Sequence, residues 1–142
     1  MKIDKAAILI KKAALEFDKI ANQTLEQYDL SAAQYKVMKY IFDEYENGVR
    51  LVDLENYSSM THPTAIGLVQ NLEKKGFCEY RENPNHARSR LIYPTDKALQ
   101  LQAELEKVGG DLEQQLTQRL NDDEKKELIE LLRKLLGIKG DS

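Results

Sequence analysis

Between Thr61 and Phe77 the chain sorts its side chains into two kinds of chemistry. On a helical wheel, at roughly 100° per residue, Ala65, Leu68, Val69 and Leu72 fall at i, i+3, i+4 and i+7 and make one apolar face. Pro63, Gly67, Gln70 and Lys74 fall opposite, flanked by Thr64, Ile66 and Asn71. A glutamine amide can pair bidentately with adenine and an isoleucine can touch a thymine methyl. Thr64 and His62, near the start of the helix, suit a phosphate or a base edge, because helix N-termini attract anions. Thr61 can cap this helix, and Pro63 falls in the first turn, where a missing N–H does no harm. A little further on, Arg81, Arg88 and Arg90 set three guanidinium groups about a turn, a group suited to phosphates or to a narrow minor groove. The alternative for both segments is a solvated polar surface that touches nothing.

Other chemistries find little support. His62 and His86 lie far from any metal-ligand spacing, and the single cysteine, Cys78, completes no site. Cys78 also has Phe77 and Glu79 beside it, a poor setting for a thiolate, which points to a structural role. No Ser/His/Asp set or phosphate loop is present, and Asp122-Asp123 is explained by helix capping, so neither an enzyme nor a cofactor is expected. The 142 residues are 42% hydrophobic and 32% charged, a globular composition of about one domain's size. No apolar run approaches the roughly 20 residues that span a bilayer. The charged start, Met1-Lys2-Ile3-Asp4-Lys5, has no export h-region, so a cytoplasmic protein without a membrane is expected. The formal charge is −3, but it is unevenly spread: residues 31–98 hold nine basic and nine acidic residues, and the acidity lies in 99–142. Phosphate binding, if present, must therefore use a local basic patch.

These residues need elements to hold them. Ile3, Ala6, Ile10, Ala13, Phe17 and Ile20 predict a helix from Ile3 to about Tyr28. Ser31 as N-cap, with Gln34 as capping-box partner, opens a second helix at Ala32 that Asn47-Gly48 stops. Leu51, Leu54 and Tyr57 lie on one side of a short third helix, broken at Ser58-Ser59-Met60. The helix capped by Thr61 ends at Gly76. Two strands, 77–82 and 88–93, follow as a hairpin with a tip at 83–87. Thr95 caps a fifth helix carrying Leu101, Leu105, Val108, Leu112 and Leu116, with a bend or weakness expected at Gly109-Gly110. Asn121 and Glu124 box the start of a sixth, with Leu128, Leu131, Leu132, Leu135 and Ile138. The long helices at the two ends carry apolar stripes that the rest of the chain can hardly cover. Burial against a second copy is the natural outlet, and folding back into a monomeric bundle is the alternative.

A short helix, a tight break, a second helix and a hairpin make a winged helix-turn-helix. The run Thr61 to Phe77 resembles the recognition helix and exit turn of the multiple-antibiotic-resistance regulator (MarR) family, and Arg88 and Thr95 match that family's wing signature. His86, Pro94 and Ala98 stand where the family usually has Asp, Leu and Gly, and Gly67 replaces a residue often polar or basic. The resemblance covers nearly the whole chain. It implies a mainly α fold with a small β-hairpin wing: an N-terminal dimerisation helix (1–30), a DNA-binding region (31–98) and C-terminal dimerisation helices (99–142), together one compact domain. It implies a sequence-specific regulator, a repressor that responds to a ligand and binds a pseudo-palindromic operator in double-stranded DNA as a homodimer. The DNA-contacting set is then Thr61, His62, Pro63, Thr64, Ile66, Gly67, Gln70, Lys74, Arg81, Arg88 and Arg90. Dimerisation falls to Ile3, Ile10, Phe17, Leu112, Leu116, Leu128, Leu131, Leu132 and Leu135. Tyr28, Tyr35 and Tyr40 could wall a pocket for a small aromatic or anionic effector, or simply pack. A winged-helix module that binds another protein is the competing reading.

Overall fold

Four helices begin at a short polar residue in extended conformation whose side-chain oxygen takes up a free amide of the first turn. In the computed structural model, which describes residues 5–139 without the side chains of 86–89, the order is α1 (Ala6–Leu25), α2 (Ala32–Glu44), α3 (Leu51–Ser58), α4 (His62–Lys74), β1 (Cys78–Asn83), β2 (His86–Pro94), α5 (Asp96–Leu116) and α6 (Asp122–Leu136). Ser31 Oγ accepts from Gln34 N at 3.1 Å while Ser31 N donates to Gln34 Oε1 at 3.0 Å, and Asn121 and Glu124 repeat this box at 2.8 and 3.0 Å. Thr61 and Thr95 cap α4 and α5 through Thr64 N and Ala98 N. The mainly α fold with a small hairpin is as the patterning predicts.

α2 is the centre of the molecule. It buries Val37, Met38, Ile41, Phe42 and Tyr35, and α1, α3, α4 and β2 pack around it. Leu25 of α1, Leu54 of α3, Leu72 of α4, Phe77, Ile92 of β2, and Leu105 and Leu112 of α5 close the core, each at most 2% exposed. Each such side chain contributes about 1.5–3 kcal/mol of burial. The hairpin is antiparallel, with Tyr80 opposite Ile92 and Arg81 opposite Leu91. A third rung ties it down: Ile92 N donates to Val49 O at 2.8 Å, joining the wing to the start of α3.

Several boundaries differ from expectation for local reasons. The first helix does not run to Tyr28: its last turn tightens into a 3-10 turn over Glu26–Tyr28, and Asp29, left-handed at φ 59°, turns the chain away. The second ends at Glu44 and closes through a 3-10 turn, Tyr45–Asn47, with Gly48 at φ 87°. The hairpin tip is shorter than 83–87, because pairing resumes at His86 with a register shift beside Asn83. The helix is not broken at Gly109-Gly110: α5 is continuous from Asp96 to Leu116. A Cβ at Gly109 would run into the Tyr35 hydroxyl, which donates to the Leu105 carbonyl at 3.1 Å. Gly109 is thus a close-packing residue, and tertiary contact holds the helix where propensity alone weakens it.

Candidate nucleic-acid interface

α3 and α4 meet through a three-residue break: Ser59 is left-handed at φ 51°, Met60 follows, and Thr61 caps α4. The break is held from both sides. Met60 N donates to Glu55 O at 3.1 Å, and the His62 ring nitrogen Nδ1 lies 3.2 Å from the Glu55 carboxylate across the turn. At the other end of α4, Phe77 N donates to Leu72 O and Gly76 N to Glu73 O, with Gly76 at φ 81°, a left-handed exit that only glycine adopts freely.

The apolar face of α4 turns inward as its spacing predicts: Ala65, Val69 and Leu72 are at most 1% exposed and Leu68 is half-buried. His62, Pro63, Thr64, Gly67, Gln70 and Lys74 lie exposed on the opposite side. Thr61 is also exposed, but its hydroxyl is already engaged, donating to Thr64 Oγ1 at 2.9 Å and accepting from Thr64 N. Its part is to hold the helix start. Ile66 is half-buried, so it offers only part of its side chain. Asn71, on the flank, turns away from that face and accepts a hydrogen bond from Gln34 at 2.8 Å. The Gly67 position is open, with nothing within 4 Å of an added Cβ.

On the wing, alternation of the two strands separates the arginines. Arg81 shares a face with Glu79 and Tyr93: it pairs with the Glu79 carboxylate at 2.7 Å and lies 4.5 Å from the Tyr93 ring centre, whose edge meets Tyr45. Arg90, paired in register with Glu82, lies on the other face, 4.4 Å from the Tyr80 ring centre. Arg81 and Arg90 therefore do not form one cluster, because neighbouring register positions point to opposite sides of a ribbon. Each guanidinium instead sits over a tyrosine ring, and that of Arg81 also donates through two nitrogens to Glu79. The Arg88 side chain lies outside the described residues.

The remaining assignments divide. Tyr28, Tyr35 and Tyr40 do not wall a common cavity. Tyr28 donates to Glu104 at 3.1 Å, Tyr35 is buried against α5, and Tyr40 stacks on Tyr57 with ring centres 4.7 Å apart. Leu112 is 1% exposed within this chain's own core, which leaves it no surface for a partner. Ile10, Leu116, Leu128, Leu131 and Leu135 are 37–58% exposed, and Phe17 and Leu132 are half-buried. Ile3 lies outside the described residues. Between α1, the end of α5 and α6 runs an apolar groove of about 530 Å³, lined by Ile10, Phe17, Leu116, Leu120, Leu128 and Leu132 among others. Cys78 is 2% exposed, and burial, with Glu73 and Glu79 adding, pushes its thiol up to about 12.

Composition and spacing did not reveal Glu55, Lys75 or the two tyrosines under the arginines. Glu55 sits seven residues before His62 across a turn, and the arginine–tyrosine pairs depend on strand register. Among the described residues no helix is long and apolar enough to cross a membrane, and no group of three or more His, Cys, Asp or Glu could hold a metal ion.

No family model matches the chain. The multiple antibiotic resistance protein MarR of Escherichia coli (strain K12) is 32% identical over 120 residues, 84% of this chain and 82% of that protein. Among solved structures, the S. aureus MepR–DNA complex superposes with a TM-score of 0.85 at 24% identity, covering 95% of this chain and 98% of that one. An E. coli MarR variant complexed with operator DNA gives a TM-score of 0.83 at 30% identity, covering 92% of each chain. With that identity spread over more than four fifths of both proteins, and the same helix-turn-helix and wing, the chain belongs to the MarR family.

Proposed function

We propose that the chain is a sequence-specific DNA-binding transcriptional regulator that acts as a homodimer in the cytoplasm, by binding rather than by turnover. One observation carries this reading. α4 turns its apolar face onto the core, leaves Gln70, Lys74, Thr64 and His62 exposed on the other side, and stands beside a hairpin with braced arginines. That is the arrangement of a recognition helix entering a major groove with a wing on the adjacent backbone. The E. coli relative solved on operator DNA has the same fold, which supports the assignment.

Gln70 has the geometry to read adenine, and Lys74 and the wing arginines supply phosphate contacts that do not depend on sequence. The homodimer reading rests on the exposed leucines of α6 and the groove they border, since a monomer rarely leaves so much contiguous apolar surface in water. Two copies would set two α4 helices about one DNA turn, roughly 34 Å, apart on a pseudo-palindromic operator. As a repressor, the protein would respond to a small aromatic or anionic effector that favours a dimer geometry unable to span both half-sites.

The test is a selection by the intact protein from a library of duplexes with a randomised core, followed by affinity measurements at two salt concentrations. An enriched sequence with symmetric half-sites and a steep salt dependence is expected, because each neutralised phosphate releases counterions. Absence of enrichment, or an affinity indifferent to salt, would instead favour a winged helix that binds protein.

A further inference from the structure

Among the described residues Gln34 is, tyrosine aside, the one buried polar side chain, at 6% exposed, and it lines a polar cleft at the edge of the core with Asn71 and Lys75. It serves α2 as a capping-box partner, but an exposed glutamine would do that equally well. Its amide does more. Oε1 accepts from Ser31 N at 3.0 Å and from Lys75 Nζ at 3.1 Å, and Nε2 donates to Asn71 Oδ1 at 2.8 Å. Asn71 belongs to α4, and Lys75 is the residue that caps its end. Lys75 Nζ also donates to the backbone carbonyl of Asp29 at 2.5 Å and lies 3.7 Å from that residue's carboxylate. Asp29 is the left-handed residue that ends the α1 exit turn, and Asn22 of α1 accepts from Ala32 N at 2.7 Å. One amide thus joins the end of α4 to the start of α2, and through Lys75 to the exit of α1.

Apolar packing sets which face of α4 turns inward, but it holds the fine angle of that face less sharply than a hydrogen bond does. Val69 and Leu72 can keep their burial through a small rotation or slide, because hydrophobic contact has no preferred angle. Hydrogen bonds do have one, and an amide that bonds on both its oxygen and its nitrogen admits only a narrow range of poses. Gln70 is the neighbour of Asn71, so rotation of α4 that breaks the Gln34 bond also swings the adenine-reading group away from its base edge.

We propose that Gln34 is a positioning residue for base reading: it fixes the rotation of α4 against α2, so that Gln70 meets its base in register, and ties that rotation to the exit of α1. This rests on the DNA-binding reading above. If Gln34 served stability alone, its loss would weaken specific and non-specific binding alike.

The experiment uses the full chain with two probes, the duplex that the wild type enriches from the randomised library and a shuffled duplex of the same composition. Binding is read by fluorescence anisotropy and folding by thermal unfolding. Gln34→Met keeps the shape and removes the polar ends; Asn71 is exposed and Lys75 only half-buried, so both can turn to water. It should bind the shuffled duplex within about twofold of wild type and the enriched duplex at least about tenfold more weakly. Gln34→Glu should restore affinity to within about threefold, since a carboxylate accepts from Ser31 N and Lys75 Nζ, and an Asn71 amide turned end for end can donate to it. Equal losses on both duplexes, no loss on either, or a Glu variant as weak as the Met variant overturns the proposal. Should Gln34→Met fail to fold, Asn71→Ala removes the same bond from the exposed side, and it must show the same selective loss or the proposal falls. A wild type that enriches nothing sinks the DNA reading and this inference together, and does so before any variant is made.

Discussion

α4 and α6 look alike in sequence and end in opposite situations. They are 13 and 15 residues long, both open on a side-chain cap, and both carry apolar residues at three- and four-residue steps. α4 buries Ala65, Val69 and Leu72 almost completely, whereas α6 buries no residue completely and leaves Leu131 and Leu135 57% and 58% exposed. The difference lies in what the chain offers each one. α4 has α3 before it, β1 after it and α2 beneath it, while α6 follows α5 and only borders the groove against α1. Where a helix has spent its apolar face on its own core, its polar face is free to do the work. Where it has not, the apolar face stays open to water within the single chain.

The contrast can be broken most severely at α6. Leu131→Asp with Leu135→Asp should leave the helical circular dichroism of each chain intact and weaken dimerisation by at least about ten-thousandfold, since four leucines are lost per dimer and each one buried in an interface is worth about 1.5–3 kcal/mol. Sedimentation equilibrium reads this directly, and an unchanged dimer mass would remove α6 from the interface. At the matching position in α4, Leu72→Ala should instead cost about 2–5 kcal/mol in urea unfolding, through lost burial and a residual cavity. A cost below about 1 kcal/mol would mean that α4 is not tied into the core as described.

The polar face of α4 sharpens the comparison at lower energy. Gln70→Ala should lose about 1–3 kcal/mol of discrimination at one base position of the selected duplex, with little change on shuffled DNA. Arg90→Ala should weaken both duplexes by a similar factor and lower the salt slope by about one. Interchanged behaviour of these two variants would reverse the assignment of helix and wing.

A smaller effect concerns the entry to α3. Partial burial raises the Asp53 carboxyl, but hydrogen bonds from the Arg50 guanidinium and backbone N–H, with the attraction of the guanidinium charge, hold it below its ordinary value. A carboxylate depressed on folding stabilises at pH above its ordinary value of about 3.9, and that stabilisation is lost as pH falls through the depressed value. Asp53→Asn should therefore lower stability by about 0.5–1 kcal/mol at neutral pH, as losing a first-turn contact does. The gap from wild type should close in acid, and thermal unfolding at the two pH values measures it. Smallest of all, iodoacetamide at neutral pH should modify Cys78 no faster than the chain globally unfolds, given a buried thiol pushed up to about 12. Labelling much faster than unfolding would show that the β1 end of the wing opens locally.

Much of the architecture was legible because its signals are local. Ser31 with Gln34, Thr61, Thr95, and Asn121 with Glu124 announce helix starts within four residues, and the inward face of α4 follows from period alone. The exposed Pro63, Gly67, Gln70 and Lys74, with Thr64 on the flank, came from the same wheel, and His62 from its place at the helix start. Other outcomes could not be read from local signals, for a common reason. Gly109-Gly110 looked weak, yet Tyr35 packs against Gly109 from a distant part of the chain. Leu112 matched the interface stripe in period but falls on the side of α5 that faces the core. The three tyrosines share a type and a neighbourhood in sequence, but the helices send them to three different partners.

By itself, then, the order of residues determined which segments are helix or strand, where the capped helices α2, α4, α5 and α6 begin, and which face of α4 is apolar, because backbone capping and side-chain period act over a few residues. Only the tertiary structure decided which apolar stripes are consumed within the chain and which stay open. It also set which arginine lies on which tyrosine, and that Gln34 of α2 reaches Asn71 of α4 across 37 residues. Those outcomes depend on register and packing between distant elements, and neither quantity is written in any short stretch of sequence.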